Sequence, residues 1–97
     1  MTRTEHLLVI LGEECAEVAQ RAAKALRFGL NEVQPDQNES NAVRLVGEYA
    51  DLAATLTMLQ QDGVLPMIPS ARLEEKHMKV EKYLLYSAKC GTLTEES

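Results

Sequence analysis

The 97 residues carry 15 acidic against 10 basic side chains, for a net charge of −5, with 45% apolar residues, 4% aromatic and no tryptophan. A chain of this size makes one domain whose modest core association would enlarge, and a Leu, Ala and Val balance poor in aromatics suits packed helices better than a β-sandwich. The acidic balance excludes a general nucleic-acid binder, whose affinity rests on a basic surface, and the apolar run before Gly12 is too short to span a membrane. Cys15 and Cys90 lack CxxC or Cys/His spacing and read as reduced thiols, so the expected location is the cytoplasm.

The first helix is expected to begin between Thr2 and Glu5, with a Thr2/Glu5 capping box or Thr4 as an alternative cap, and to end at Gly29. Its apolar stripe is Leu7, Leu11, Val18, Ala22 and Ala25, and Glu14 takes the slot between Leu11 and Val18, which predicts a partly buried carboxylate. Positions three apart on a helix lie about 60° from each other, so Glu14 and Glu17 point the same way. Glu13 lies about 100° from Glu14. His6 falls on the polar side and reads as solvated. Arg21 and Lys24 follow Glu17 by four and seven positions on nearly the same azimuth; they either pair with it on the helix surface, the default, or lean toward a bound anion.

Leu30 to Ser40 has turn formers around Pro35, Asp36 and Asn38 and no periodicity, so it reads as a loop, long enough to be a lid or a swapped connection between subunits. The second helix should start after Asn38 or Ser40 and run to Gly63. Its stripe reads Leu45, Tyr49, Leu52, Leu56 and Leu59, with Glu48 at the rim of the core and Asp51 further round, three positions on. Gly47, Ala50 and Ala54 form a small-residue face that another helix can approach closely.

Val64 to Ser70, apolar and twice broken by proline, predicts an extended buried connection, with Ser70 capping a last helix that ends at Gly91. That helix carries Leu73, Val80 and Leu84, with His77 on the same line as a hydrogen-bonded core or interface residue. Lys76, Lys79 and Tyr83 cluster on one flank, either simply solvated or supplying charge to an anionic ligand from a neighbouring helix. The single domain covers residues 1–91, and 92–97 are expected to form a disordered tail.

Two acidic pairs, Glu14/Glu17 and Glu48/Asp51, thus project from or beside the apolar stripes of two helices. Four like charges facing one another repel strongly unless divalent cations lie between them, and Mg²⁺ and Mn²⁺ prefer carboxylate oxygens. The sequence therefore asks for metal. It holds no nucleophile elbow and no GxxxxGK[ST] loop to cradle a phosphate.

Glu13-Glu14-Cys15-Ala16-Glu17 followed by Glu48-Tyr49-Ala50-Asp51 resembles the EExxE and ExxD motifs of the MazG-like, all-α nucleoside triphosphate pyrophosphohydrolases. Lys24-Ala25-Leu26-Arg27-Phe28-Gly29 is similar to the KxxRFG ending of small bacterial and phage members, and the resemblance spans roughly residues 5 to 60. It implies a helical bundle of two long helices and a C-terminal helix, completed as a homodimer or dimer of dimers. It further implies cleavage of a nucleoside triphosphate, in some members GTP or dGTP, to the monophosphate and pyrophosphate. Glu14, Glu17, Glu48 and Asp51 would be ligands of Mg²⁺, or Mn²⁺ in its place, while Glu13 orients or deprotonates water. The same resemblance makes Lys24 and Arg27 candidate phosphate or nucleotide contacts. Two other readings stand beside it: a phosphoribosyl-ATP pyrophosphohydrolase-like enzyme of the same superfamily, and a non-enzymatic helical oligomerisation module.

Overall fold

A computed structural model describes residues 1–94 of the chain; Glu95, Glu96 and Ser97, the end of the expected tail, lie outside the described residues. The protein is all-helical: α1 spans Arg3–Phe28, α2 Asn41–Gln61 and α3 Arg72–Lys89, with no strand among the described residues. No helix among them is long and apolar enough to cross a membrane. The chain divides into two units, Met1–Pro66 and Met67–Ser97.

The first unit is an antiparallel hairpin of α1 and α2. Its ends obey local rules. Thr2 caps α1 in a complete capping box, its hydroxyl accepting from the Glu5 amide while the Glu5 carboxylate accepts from the Thr2 amide. Ser40 caps α2 by accepting from the Val43 amide. The chain leaves α1 at Gly29 with φ 103° and turns after α2 at Gly63 with φ 75°, backbone conformations that favour glycine. Antiparallel pairing is fixed at both ends. Arg3 bonds Asp62 at 2.8 Å where α1 begins and α2 ends. At the other end the fully buried Asn41 amide donates to the Gly29 carbonyl and to Glu32 Oε1, both at 2.9 Å. The Asn41 and Ala42 amides also bond back to the carbonyls of Glu32 and Leu30. The connecting loop is therefore tied onto the start of α2, and Asn41, rather than either expected cap, is the residue that ties it.

The seam between the helices follows the expected stripes except at Ala22 and Tyr49. Leu7, Ala25 and Leu59 are buried, and Leu11, Val18, Leu45, Leu52 and Leu56 are half-buried, but the same line includes buried Arg21 and Thr55 and half-buried Glu14 and Glu48. Ala22 and Tyr49, both assigned to the stripes from sequence, are exposed. Tyr49 keeps 62% of its surface while its neighbour Glu48 turns into the seam. The spacing 45, 48, 52 fits a helical seam as well as 45, 49, 52, and the first places the carboxylate inward.

The segment Val64–Ser70 is exposed apart from half-buried Leu65, so the expectation of a buried connection is corrected. The carbonyl of Pro66 instead accepts from the Gln60 amide.

In the second unit Ala71 rather than Ser70 holds the N-cap position of α3, and it makes no side-chain capping bond. Pro69 to Arg72 turn through a backbone bond, which carries Ser70 out of capping register. Lys89 ends α3, Cys90 follows as its C-cap, and Gly91 turns at φ 78°. Thr92, expected in the tail, instead closes that turn with its amide and its hydroxyl on the Ser87 carbonyl. No residue of α3 is buried, and Leu73, His77, Val80 and Leu84 are all exposed, so the expected core stripe of this helix is corrected. Both cysteines are free and exposed.

Candidate metal centre

Glu14 and Glu17 stand one turn apart on α1, and Glu48 reaches them from α2. One carboxylate oxygen from each lies within 4.8 Å of the others. Glu14 and Glu48 are half-buried, Glu14 between Leu11 and Val18 and Glu48 between Leu45 and Leu52, while Glu17 is exposed at the rim. Glu14 Oε2 is shut from solvent and has no hydrogen-bond partner. A buried carboxylate oxygen without a donor is costly, and a hard cation is the partner that this donor set of oxygens fits best.

The Glu17 carboxyl is held above its ordinary value of 4.5, first by a hydrogen bond shared with Glu48, then by the charges of Glu14 and Glu48, by slight desolvation and by the charge of Asp51. Each of these favours the protonated form, since a proton on Glu17 both donates to Glu48 and removes one of the mutually repelling charges. A divalent cation would relieve that repulsion without a proton.

Of the residues singled out from sequence, the structure brings Glu14, Glu17 and Glu48 together. Asp51 stays exposed, outside that trio, though near enough for its charge to act on Glu17. With Glu48 it lines an open cleft of about 480 Å³ whose other walls include Glu39, Val43, Arg44 and Gly47. Glu13 is exposed. Lys24 is half-buried, and exposed Arg27 lies over the Phe28 ring at 4.8 Å. Lys76, Lys79 and Tyr83 line one shallow groove of α3 with Val80, Leu84 and Ser87, as their spacing requires.

Arg21 departs from the sequence expectation. It is 93% buried rather than on the helix surface, and it makes no ion pair with Glu17; Arg3 with Asp62 is the ion pair found among the described residues. Its Nη1 donates instead to Gln34 Oε1 at 3.5 Å, where Arg44 Nη1 also donates at 2.7 Å. Gln34 and Arg44 escaped the sequence reading. Gln34 sits in a loop without periodicity, but Arg44 stands one turn before Glu48 as Arg21 stands one turn after Glu17, a mirrored spacing that the antiparallel hairpin makes meaningful.

These features define a two-helix carboxylate centre flanked by arginines. Compared with protein-family models, curated proteins and solved structures, the chain finds no match.

Proposed function

We propose that this protein is a metal-dependent nucleoside triphosphate pyrophosphohydrolase of the MazG-like kind. The observation that carries the reading is the convergence of Glu14, Glu17 and Glu48 from two helices with one oxygen buried and unpartnered, in the residues that resemble the EExxE and ExxD motifs. Glu14, Glu17 and Glu48, with Asp51 at the edge, would hold Mg²⁺ or Mn²⁺. When bound, such a cation neutralises phosphate charge, acidifies water and favours in-line approach to phosphorus.

The reaction is NTP plus water to NMP and pyrophosphate. A water oxygen bonds to the α-phosphorus, the bond from that phosphorus to the bridging α–β oxygen breaks, and pyrophosphate leaves with the electron pair while the water's protons pass to base and solvent. Glu13, exposed beside the cluster, is the residue assigned to orient the water or take its proton. The half-buried places of Glu14 and Glu48 in the seam would hold those two carboxylates in position before substrate arrives.

Assembly belongs to the same reading. An isolated 18-residue helix is marginal in water, and α3 buries none of its residues in this chain. The first unit also leaves an apolar groove lined by Ala22, Ala25, Leu26, Leu30 and Leu45, and the small residues Gly47, Ala50 and Ala54 lie exposed. A homodimer or dimer of dimers would cover these surfaces and place Lys76, Lys79 and Tyr83 within reach of a neighbouring subunit's substrate.

The test is product identification. Incubated with Mg²⁺ and a panel of ordinary and modified ribo- and deoxyribonucleoside triphosphates, the protein should convert at least one to its monophosphate and pyrophosphate, read by ³¹P NMR. Release of orthophosphate alone, or no product from any triphosphate of the panel, would remove this reading; no pyrophosphate from phosphoribosyl-ATP either would favour the helical oligomerisation module.

A further inference from the structure

Arg21 and Arg44 present a second unsatisfied centre. Two guanidinium groups, one from each helix, share a single neutral acceptor, Gln34 Oε1, and neither has a carboxylate at ion-pair distance among the described residues. Arg21 is 93% buried, and its Nε is shut from solvent without a hydrogen-bond partner. A guanidinium offers five N–H donors, so one amide oxygen leaves most of the ten unanswered. Burying an unpaired cation beside another cation is unfavourable, and an anion is the group that offsets it.

The position of this pair is set by the hairpin. Arg21 follows Glu17 by four residues on α1, and Arg44 precedes Glu48 by four on α2. Because the helices are antiparallel, both steps run toward the loop, so the guanidinium layer lies about 6 Å along the axis from the carboxylate layer. Arg44 also lines the cleft that Glu48 and Asp51 share. The carboxylate layer suits a cation and the guanidinium layer an oxyanion, at a separation that a di- or triphosphate chain bridges.

We propose that Arg21, Arg44 and Gln34 form a phosphate-binding site that takes one phosphate group of a polyphosphate whose metal-bound portion lies at Glu14, Glu17 and Glu48. The site uses Arg rather than Lys because planar forks converging from two helices can each bond two oxygens of one phosphate. On phosphate binding Gln34 gives up its role as shared acceptor and turns its amide N–H toward the phosphate. Arg27 then serves the helix end rather than the phosphate, consistent with its stacking on Phe28. The chemistry recognised is the phosphate oxyanion itself; inorganic pyrophosphate and a nucleoside triphosphate share it. The link to the carboxylates rests on the proposed hydrolase reading, whereas the anion site does not.

Calorimetric titration with inorganic pyrophosphate, in EDTA and again in Mn²⁺, separates the two. Wild-type protein should bind pyrophosphate in EDTA and more tightly in Mn²⁺. Arg44→Gln should weaken both by about tenfold or more, the effect of losing charge-assisted hydrogen bonds, while free Mn²⁺ binding measured by electron paramagnetic resonance stays at the wild-type level. Arg21→Lys, which keeps the buried charge but not the fork, should weaken pyrophosphate in the same way. A dGTP titration in EDTA should lose the same factor as pyrophosphate if phosphate alone is read. Pyrophosphate binding that responds to Arg44→Gln in a protein that takes up no Mn²⁺ would uphold the anion site and sink the hydrolase reading. Normal Mn²⁺ binding with pyrophosphate affinity unchanged in Arg44→Gln would overturn the anion site alone. A variant that changes only the mass of the assembly, with pyrophosphate affinity unaltered, would also overturn it, assigning the arginines to a second copy of the chain.

Discussion

Glu48→Gln should stabilise the protein without metal and blunt its response to metal. Glu14 and Glu48 are both half-buried and offer oxygens within 4.8 Å of each other. Two unit charges at that separation repel by about 1 kcal/mol in a water-like dielectric and about 3.5 kcal/mol at an effective dielectric of 20. Partial exposure and salt bring the gain from removing one of them to about 1–2 kcal/mol. For a domain of this size that raises the melting temperature by roughly 4–8 °C per kcal/mol in EDTA. Mg²⁺ at ten times its dissociation constant should stabilise the wild type by about 1.4 kcal/mol, and the variant, lacking a ligand, by much less. Scanning calorimetry of both proteins in EDTA and across an Mg²⁺ titration reads the two effects together. A variant less stable than wild type in EDTA, or equal Mg²⁺ shifts in both, would refute a preformed carboxylate cluster.

Three further outcomes follow from particular residues. Because the Glu17 carboxyl is held above 4.5, the folded state binds that proton more tightly than the unfolded chain. Its stabilising contribution is thus full below about pH 4.5 and is lost as pH rises through the raised value. A melting temperature in EDTA that falls across this window, and a smaller fall in Glu17→Gln, would bear this out; identical pH profiles would contradict it. Asn41→Ala removes the amide that ties Gly29 and Glu32 to α2 and should cost about 1–3 kcal/mol in urea unfolding, so an unchanged midpoint would show that the loop is anchored otherwise. Light scattering at low micromolar concentration should find a dimer or tetramer, and a fully active monomer would remove both assembly and a shared pocket.

Helix ends were legible because they rest on contacts a few residues apart: Thr2 with Glu5, Ser40 with Val43, and glycines 29 and 63 at positive φ. Glu14, Glu17 and Glu48 were legible as a group because two i, i+3 pairs on long helices leave little choice of face. The phase of α2 was harder. An apolar count prefers Tyr49 to Glu48 in the seam, and only pairing with α1 shows that the carboxylate turns inward and the tyrosine outward. Arg21 was misplaced for the same reason, since a charge four residues from a glutamate reads as a surface pair unless its burial is known. The Gln34 contacts join a loop to two helices, and no local pattern encodes them. Ser70 failed as a cap because the turn from Pro69 shifts the start of α3 by one residue.

The most direct test of the central claim is turnover of wild type, Glu14→Gln, Glu17→Gln, Glu48→Gln, Asp51→Asn and Glu13→Gln at increasing Mg²⁺, using the triphosphate that the product screen selects. The account predicts pyrophosphate release by the wild type that vanishes in EDTA. It predicts near-complete loss in the first four variants, which retain their helical circular dichroism, and a loss as large or smaller in Glu13→Gln. Near-wild-type turnover by Glu17→Gln or Glu48→Gln at saturating Mg²⁺ would contradict it.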